Sequence, residues 1–126
     1  MATVELTREN FEDVVTKNDT VIVDFWAPWC GPCKSFAPLF EAASEKYPNV
    51  VFGKVNTDVE QALANHFAIR SIPTVMVFRE QVILFAQAGA LPAAGLHSVI
   101  DQAQAADMKE VHEEIAAQRA QRQSSS

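Results

Sequence analysis

Apolar residues recur along this chain in two rhythms, and each rhythm predicts an element. Phe11, Val14 and Val15 stand at core-facing helical spacing behind Thr7, whose hydroxyl suits the cap of a first helix. Val21 to Trp26 then forms an almost continuous apolar run, the signature of a central parallel strand buried on both faces. After a Pro-rich loop, Phe36, Leu39, Phe40, Ala43 and Tyr47 draw one helical stripe, with Pro38 inside it as a kinking residue. Val50 to Val55 follows Pro48 and Asn49 as a second strand. Asp58 and Gln61 match a capping box opening a helix that carries Val59, Leu63 and Phe67. Ser71-Ile72-Pro73 breaks the pattern ahead of two close apolar runs, Thr74 to Phe78 and Val82 to Ala86, joined by the short link Arg79 to Gln81. That arrangement predicts an antiparallel hairpin. Leu96, Val99, Ile100 and Ala103 mark a further helix, and Thr3 to Leu6 supplies a short strand at the start.

Strands separated by helices imply right-handed crossovers, and the hairpin makes the sheet mixed, so the pattern predicts an α/β sandwich. Beyond it, Asp107 and Glu110 match a second capping box, with Met108, Val111 and Ile115 on one helical face. From Ala116 onward Gln, Arg and Ala replace the apolar anchors. The expected division is therefore residues 1–106 as the main domain, 107–121 as a helical extension and 122–126 as a disordered tail.

Composition narrows the function classes. The 126 residues are 48% apolar, which supports a core without staples, and the net charge is −6. Such a balance argues against a nucleic-acid partner, whose binders carry a basic face. No run approaches the ~20 apolar residues that cross a bilayer, so no membrane partner is expected. The first ten residues carry Glu5 and Glu9 and no apolar run, unlike a secretory signal, and a cytoplasmic setting is expected.

The two cysteines, Cys30 and Cys33, sit three positions apart in Trp29-Cys30-Gly31-Pro32-Cys33-Lys34, between the buried strand and the long helix. A disulfide closing so short a loop removes little unfolded-chain entropy, so stapling explains it poorly. At a helix N-terminus the free N–H groups and the macrodipole favour thiolate over thiol, and thiolate is the attacking form. Cys30, nearer the loop, is expected to attack, and Cys33, one turn in, to resolve the mixed disulfide. Zinc is disfavoured: no second cysteine pair exists, and His66, His97 and His112 are scattered. A pair of inert core cysteines is disfavoured too, because Gly31-Pro32 belongs to an exposed turn.

Asp24 interrupts the most apolar strand, on the face of Ile22 and Trp26. Burying a carboxylate costs several kcal/mol unless it is paired or protonated. Either it is satisfied by a hydrogen bond or water, or desolvation raises its pKa and it accepts a proton from Cys33, the reading favoured here. Lys54, in the neighbouring strand, is either its counter-charge or an ordinary strand-end lysine. For Ile72–Pro73 the base rate favours trans, since X-Pro bonds are cis only about 5% of the time.

Phe25-Trp26-Ala27-Pro28 leading into Trp29-Cys30-Gly31-Pro32-Cys33-Lys34, with Ser71-Ile72-Pro73-Thr74 downstream, resembles the thioredoxin family. The resemblance extends to Asp24, Pro38, Lys54, Val55-Asn56-Thr57-Asp58 and Gly89, and covers Thr3 to Ala106. It implies the thioredoxin fold: a central mixed sheet of about five strands with helices on both faces, here with an extra C-terminal helix. It also implies a protein-disulfide reductase with Cys30 as nucleophile, Cys33 as resolving thiol, Asp24 as buried acid/base and Lys54 modulating it. Pro73 would be cis, and Trp29, Gly31, Pro32, Ile72, Pro73, Gly89 and Ala90 would line the docking surface for client proteins. Electrons would come from NADPH through thioredoxin reductase, with no cofactor bound, and a monomer is expected.

The chain departs from the family pattern in two places. Many members carry Gly in the hairpin turn and ahead of the Ile-Pro break; Arg79-Glu80-Gln81 and Ser71 stand here. Without Gly, a type I or longer turn is expected rather than one requiring positive φ. The helix from Met108 is the larger departure, and its apolar positions suggest that it packs back on the body. Two other functions stay open at this level. An oxidase or isomerase is disfavoured by Gly31-Pro32, and a partner-binding or chaperone module by the intact dithiol with Asp24.

Overall fold

The computed structural model describes residues 2–124. Five strands and five helices alternate along the chain: β1 (Thr3–Glu5), α1 (Phe11–Lys17), β2 (Thr20–Trp26), α2 (Gly31–Lys46), β3 (Val51–Asn56), α3 (Gln61–His66), β4 (Thr74–Arg79), β5 (Val82–Ala88), α4 (Ala93–Ala105) and α5 (Met108–Ser124). The sheet runs β1-β3-β2-β4-β5. β1, β3 and β2 are mutually parallel, while β4 is antiparallel to both β2 and β5. The mixed sheet and its flanking helices are those the pattern predicts.

β2 lies at the centre because its sequence tolerates burial on both sides. Ile22 joins Phe36, Phe40, Val77, Leu96 and Ile100 on the α2–α4 face. Val21, Val23 and Phe25 join Phe11, Val15 and Leu63 on the α1–α3 face. Register then places Asp24. It pairs with Lys54 of β3 and Val75 of β4, and it shares the face of Ile22. A carboxylate thus stands among apolar side chains because strand alternation leaves it nowhere else to point.

Several local expectations change. Thr7 caps a turn rather than the helix itself: the Thr7 N–H donates to Asn10 Oδ1 at 2.7 Å, and the Asn10 N–H returns to Thr7 Oγ1 at 3.3 Å. Leu39 is 38% exposed and Val59 70%, because the buried stripe of α2 is narrower than read and α3 begins after Val59. The β4–β5 link is the clearest correction. Arg79 pairs with Val82, so only Glu80 and Gln81 connect the strands, and both take positive φ, 50° and 68°. A two-residue link between right-twisted strands needs the mirror-image turn, and pairing overrides residue preference. Two contacts hold it: the Glu80 N–H donates to Asp19 O at 2.8 Å, and the Glu80 carboxylate meets His112 Nε2 at 3.0 Å.

α5 begins as expected, with Asp107 Oδ1 accepting the Glu110 N–H. Met108 is buried, and Val111 and Ile115 are half-buried. The helix continues to Ser124, past the expected boundary at Gln121. Ala, Gln and Arg are strong helix formers, which carries it through residues with no core to face. The rest of the expected tail, Ser125 and Ser126, lies outside the described residues.

Candidate active site

Cys30 stands where β2 has ended and α2 begins. It is the N-cap of α2, in extended conformation, with Gly31 and Pro32 in the first turn. Proline suits that position, since its missing N–H would be unpaired there anyway. The Cys33 N–H donates to Cys30 Sγ at 3.2 Å, so the helix end directs a backbone donor at the sulfur. Cys30 and Cys33 are joined as a disulfide, with Cα atoms 5.2 Å apart. Both are nearly inaccessible, so exposure alone does not separate their roles. Position does. Cys33 heads the buried stripe of α2 that continues through Phe36 and Phe40. Cys30 Sγ lies 3.6 Å from the Ile72 carbonyl oxygen, a contact of neighbours while the sulfur carries no proton. Ala27 completes a small cluster with the two sulfurs, and Trp26 and Ile72 lie against it.

Asp24 is fully buried, and neither carboxylate oxygen meets a hydrogen-bond donor among the described residues. Burial pushes its pKa up to about 7, against the opposing pull of the Lys54 ammonium. No protein group among the described residues supplies the hydrogen bond that one of the two sequence readings calls for. Lys54 is register partner to Asp24 and places its Nζ 4.7 Å from the centre of the Trp26 ring. The cation–π contact holds the ammonium beside the strand face that carries Asp24.

The expected docking residues gather around the dithiol. Trp29 is 69% exposed, and Gly31 and Pro32 are exposed beside it. Ile72–Pro73 is cis, against the base rate and with the family resemblance. Thr74 Oγ1 donates to Ser71 O at 2.6 Å, and the Gly89 N–H donates to Pro73 O at 2.7 Å, tying the end of β5 to this loop. Gly89 has φ +104°, a conformation that suits glycine, and Ala90 follows it on the surface. Sequence reading missed Asp58, which it assigned to a helix cap. The Trp29 indole N–H instead donates to both Asp58 oxygens, at 3.1 and 3.2 Å. The signal lay in parallel pairing: Trp26 is register partner to Asn56, so the residues just beyond each strand end emerge side by side.

No group of three or more His, Cys, Asp or Glu side chains is placed to hold a metal ion among the described residues. No described helix is long and apolar enough to cross a membrane. The family model described as thioredoxin matches residues 2–102. The chain belongs to the thioredoxin family. It is similar to "Putative thioredoxin 2" of Streptomyces coelicolor, 57% identical over 120 residues, which covers 95% of this chain and 90% of that one. Thioredoxin of Porphyra purpurea is 38% identical over 104 residues, covering 81% and 97%. Among solved structures, thioredoxin of Plasmodium falciparum superposes with a TM-score of 0.73 at 34% identity, covering 78% and 96%. Spinach chloroplast thioredoxin f, in its short form, gives 0.77 at 29%, covering 82% and 95%. The activity of this thioredoxin is protein thiol–disulfide exchange through the Cys30–Cys33 pair. Family members do this with a redox-active disulfide and no bound cofactor.

Proposed function

We propose that this thioredoxin reduces client proteins by a two-step exchange in which Cys30, Cys33 and Asp24 have separate tasks. In the dithiol form the Cys30 thiolate attacks one sulfur of a client disulfide, and the other client sulfur leaves as a thiolate that takes a proton. Cys33 then gives its proton to the Asp24 carboxylate and attacks Cys30 Sγ. The Cys30–client bond breaks, the second client sulfur leaves, and two electrons have passed from the dithiol to the client. Lys54 tunes Asp24 by favouring its charged form. Client segments dock in extended form across Trp29, Gly31, Pro32, Ile72, Pro73, Gly89 and Ala90, and the Ile72 backbone offers pairing groups.

The observation that carries this reading is the buried, unpartnered Asp24 on the sheet face covered by the helix stripe that Cys33 heads. A carboxyl with a pKa of about 7 can accept a proton at physiological pH and return it later. The electrons are restored by NADPH through thioredoxin reductase, in the cytoplasm, where that reductant is kept. Residues 1–106 form the working redox unit of a monomer, with 107–121 an appendage to it.

An equilibrium redox titration of Cys30–Cys33 against glutathione and dithiothreitol buffers, read by Trp29 fluorescence, tests the direction of flow. A potential below the glutathione poise of about −220 to −260 mV makes the protein a reductant. A potential at or above it overturns the reading in favour of an oxidase or isomerase.

A further inference from the structure

Three segments frame the dithiol: Pro28 to Lys34, Arg70 to Thr74, and Ala88 to Pro92. Between them they carry two cations, Lys34 and Arg70, and no acid, on a chain whose net charge is −6. Asp58, the acid drawn to this end, is hydrogen-bonded by Trp29. Arg70 is exposed and makes no hydrogen bond or ion pair among the described residues. It stands at the lip of a groove of about 230 Å³ that runs from the docking loop along β5. The floor follows from sequence. Ala88 pairs with Thr74 and Ala86 with Met76, on the α1–α3 face of the sheet. Two alanines on that face leave a depression that larger strand residues would fill, and Phe67 stands at its wall. Ser71 and Thr74 belong both to this groove and to the segment holding Ile72–Pro73, so the two surfaces are continuous.

We propose that the groove over Ala86 and Ala88 is a second client subsite, which takes an apolar side chain of the docked segment and pairs a neighbouring client carboxylate with Arg70. The inference rests on the reading that clients dock along Ile72–Pro73, and it names what they carry: an apolar residue beside an acid, a few residues from the attacked cysteine. Arg70 has no acidic partner among the described residues. A docked carboxylate gains from Arg70, and a docked lysine meets a like charge.

Oxidised peptides that differ in one dipeptide, Leu-Glu, Leu-Lys or Ser-Glu, placed on each side of the disulfide in turn, test it. The wild-type protein is expected to show a KM about three- to fivefold lower for Leu-Glu than for Leu-Lys, with equal kcat. High salt is expected to erase that difference, and Arg70→Glu to reverse it. Ala86→Leu, which fills the groove and leaves the charges alone, is expected to cancel the KM advantage of Leu-Glu over Ser-Glu. A Leu-Glu to Leu-Lys ratio unchanged by Arg70→Glu overturns the subsite. Reduction of the small aromatic disulfide DTNB by the wild-type protein, which spans only the dithiol, reports on the parent reading separately.

Discussion

The two ends of β2 carry aspartates five residues apart and treat them in opposite ways. Asp19, just before the strand, is partnered. Its carboxylate accepts from Arg79 Nε at 2.8 Å and Thr20 Oγ1 at 2.9 Å, and its carbonyl accepts from the Glu80 N–H. Arg79 extends the arrangement by donating Nη1 to the carbonyls of Ala103, Gln104 and Ala106 at the end of α4. Asp24, near the other end, meets no donor among the described residues and sits in an apolar wall. The aspartate is thus paired at the hairpin pole and left unpartnered among the described residues at the dithiol pole. An unpaired buried acid is a cost to folding, and such groups concentrate at functional sites. The hairpin pole binds β2, β4, α4 and α5 into one unit and holds the frame against which that cost is set.

The largest effect comes from breaking the dithiol end itself. Cys33→Ser leaves the attacking sulfur and removes the resolving one, so the protein is expected to stay covalently joined to a client or a model disulfide, as intact mass measurement reads directly. Cys30→Ser is expected to lose both the adduct and turnover, by at least about a thousandfold, the scale on which loss of a covalent nucleophile acts. Adduct formation by Cys30→Ser and not by Cys33→Ser would exchange the two roles.

Next is the contrast between the aspartates. The Asp24 pKa is raised from 3.8 to about 7 in the folded state, so between those values the native protein holds a proton that the unfolded chain has lost. The contribution of Asp24 to stability is therefore greatest below pH 4, falls as pH rises through 7, and levels off above it. The total fall is on the order of 4 kcal/mol. Asp24→Asn is expected to abolish that dependence and to be more stable than wild type at pH 8, with the difference shrinking at pH 5. Urea denaturation at the two pH values measures it. The same variant is expected to slow resolution of the mixed disulfide above pH 7, where the wild-type carboxylate is free to accept a proton, while leaving the initial attack by Cys30 intact. A more stable protein with a slower second step is what separates a functional acid from a misplaced one.

The dithiol end was the more legible in sequence, because its information is local. A run of apolar residues broken by Asp24, a Cys-Gly-Pro-Cys loop and a helical stripe after it each need only a few neighbours to interpret. What escaped depends on pairing between segments far apart in the chain. The hairpin turn was read from Arg79-Glu80-Gln81 as a type I or longer link, yet its conformation is set by Arg79 opposite Val82 and by contacts from Asp19 and His112. Asp58 was read as a helix cap because Gln61 follows three residues later, and only the register of β2 on β3 brings it to Trp29. The stripe of α2 was drawn one residue too wide at Leu39, since periodicity gives the direction of a helix face and not how much of it the sheet covers.

A smaller effect tests the hairpin pole. Arg79→Ala removes the ion pair with Asp19 and withdraws a donor from three carbonyls at once. The side chain is only 17% exposed, so water replaces those bonds incompletely. A loss of about 2–3 kcal/mol is expected, read as a lower urea midpoint with an unchanged slope. The redox potential of Cys30–Cys33 and the turnover of small disulfides are expected to stay where they are, because no residue of the hairpin pole touches the dithiol. A shift in potential would mean that the two poles are coupled and would undo the comparison.

The smallest effect concerns the hairpin turn, where pairing forced positive φ on two residues other than glycine. Gln81, with φ 68°, carries no side-chain hydrogen bond among the described residues, so Gln81→Gly relieves the left-handed conformation without removing one. The relief is worth about 1 kcal/mol, and the greater freedom of glycine in the unfolded chain takes back part of it. A rise in Tm of about 2–3 °C is expected. Glu80→Gly relieves a similar angle, φ 50°, but forfeits the carboxylate that meets His112 of α5. The two contributions are expected to cancel, leaving its Tm near that of wild type. Equal gains from both variants would mean that the contact with α5 adds nothing, and that the turn alone, not its clasp on the last helix, holds this pole together.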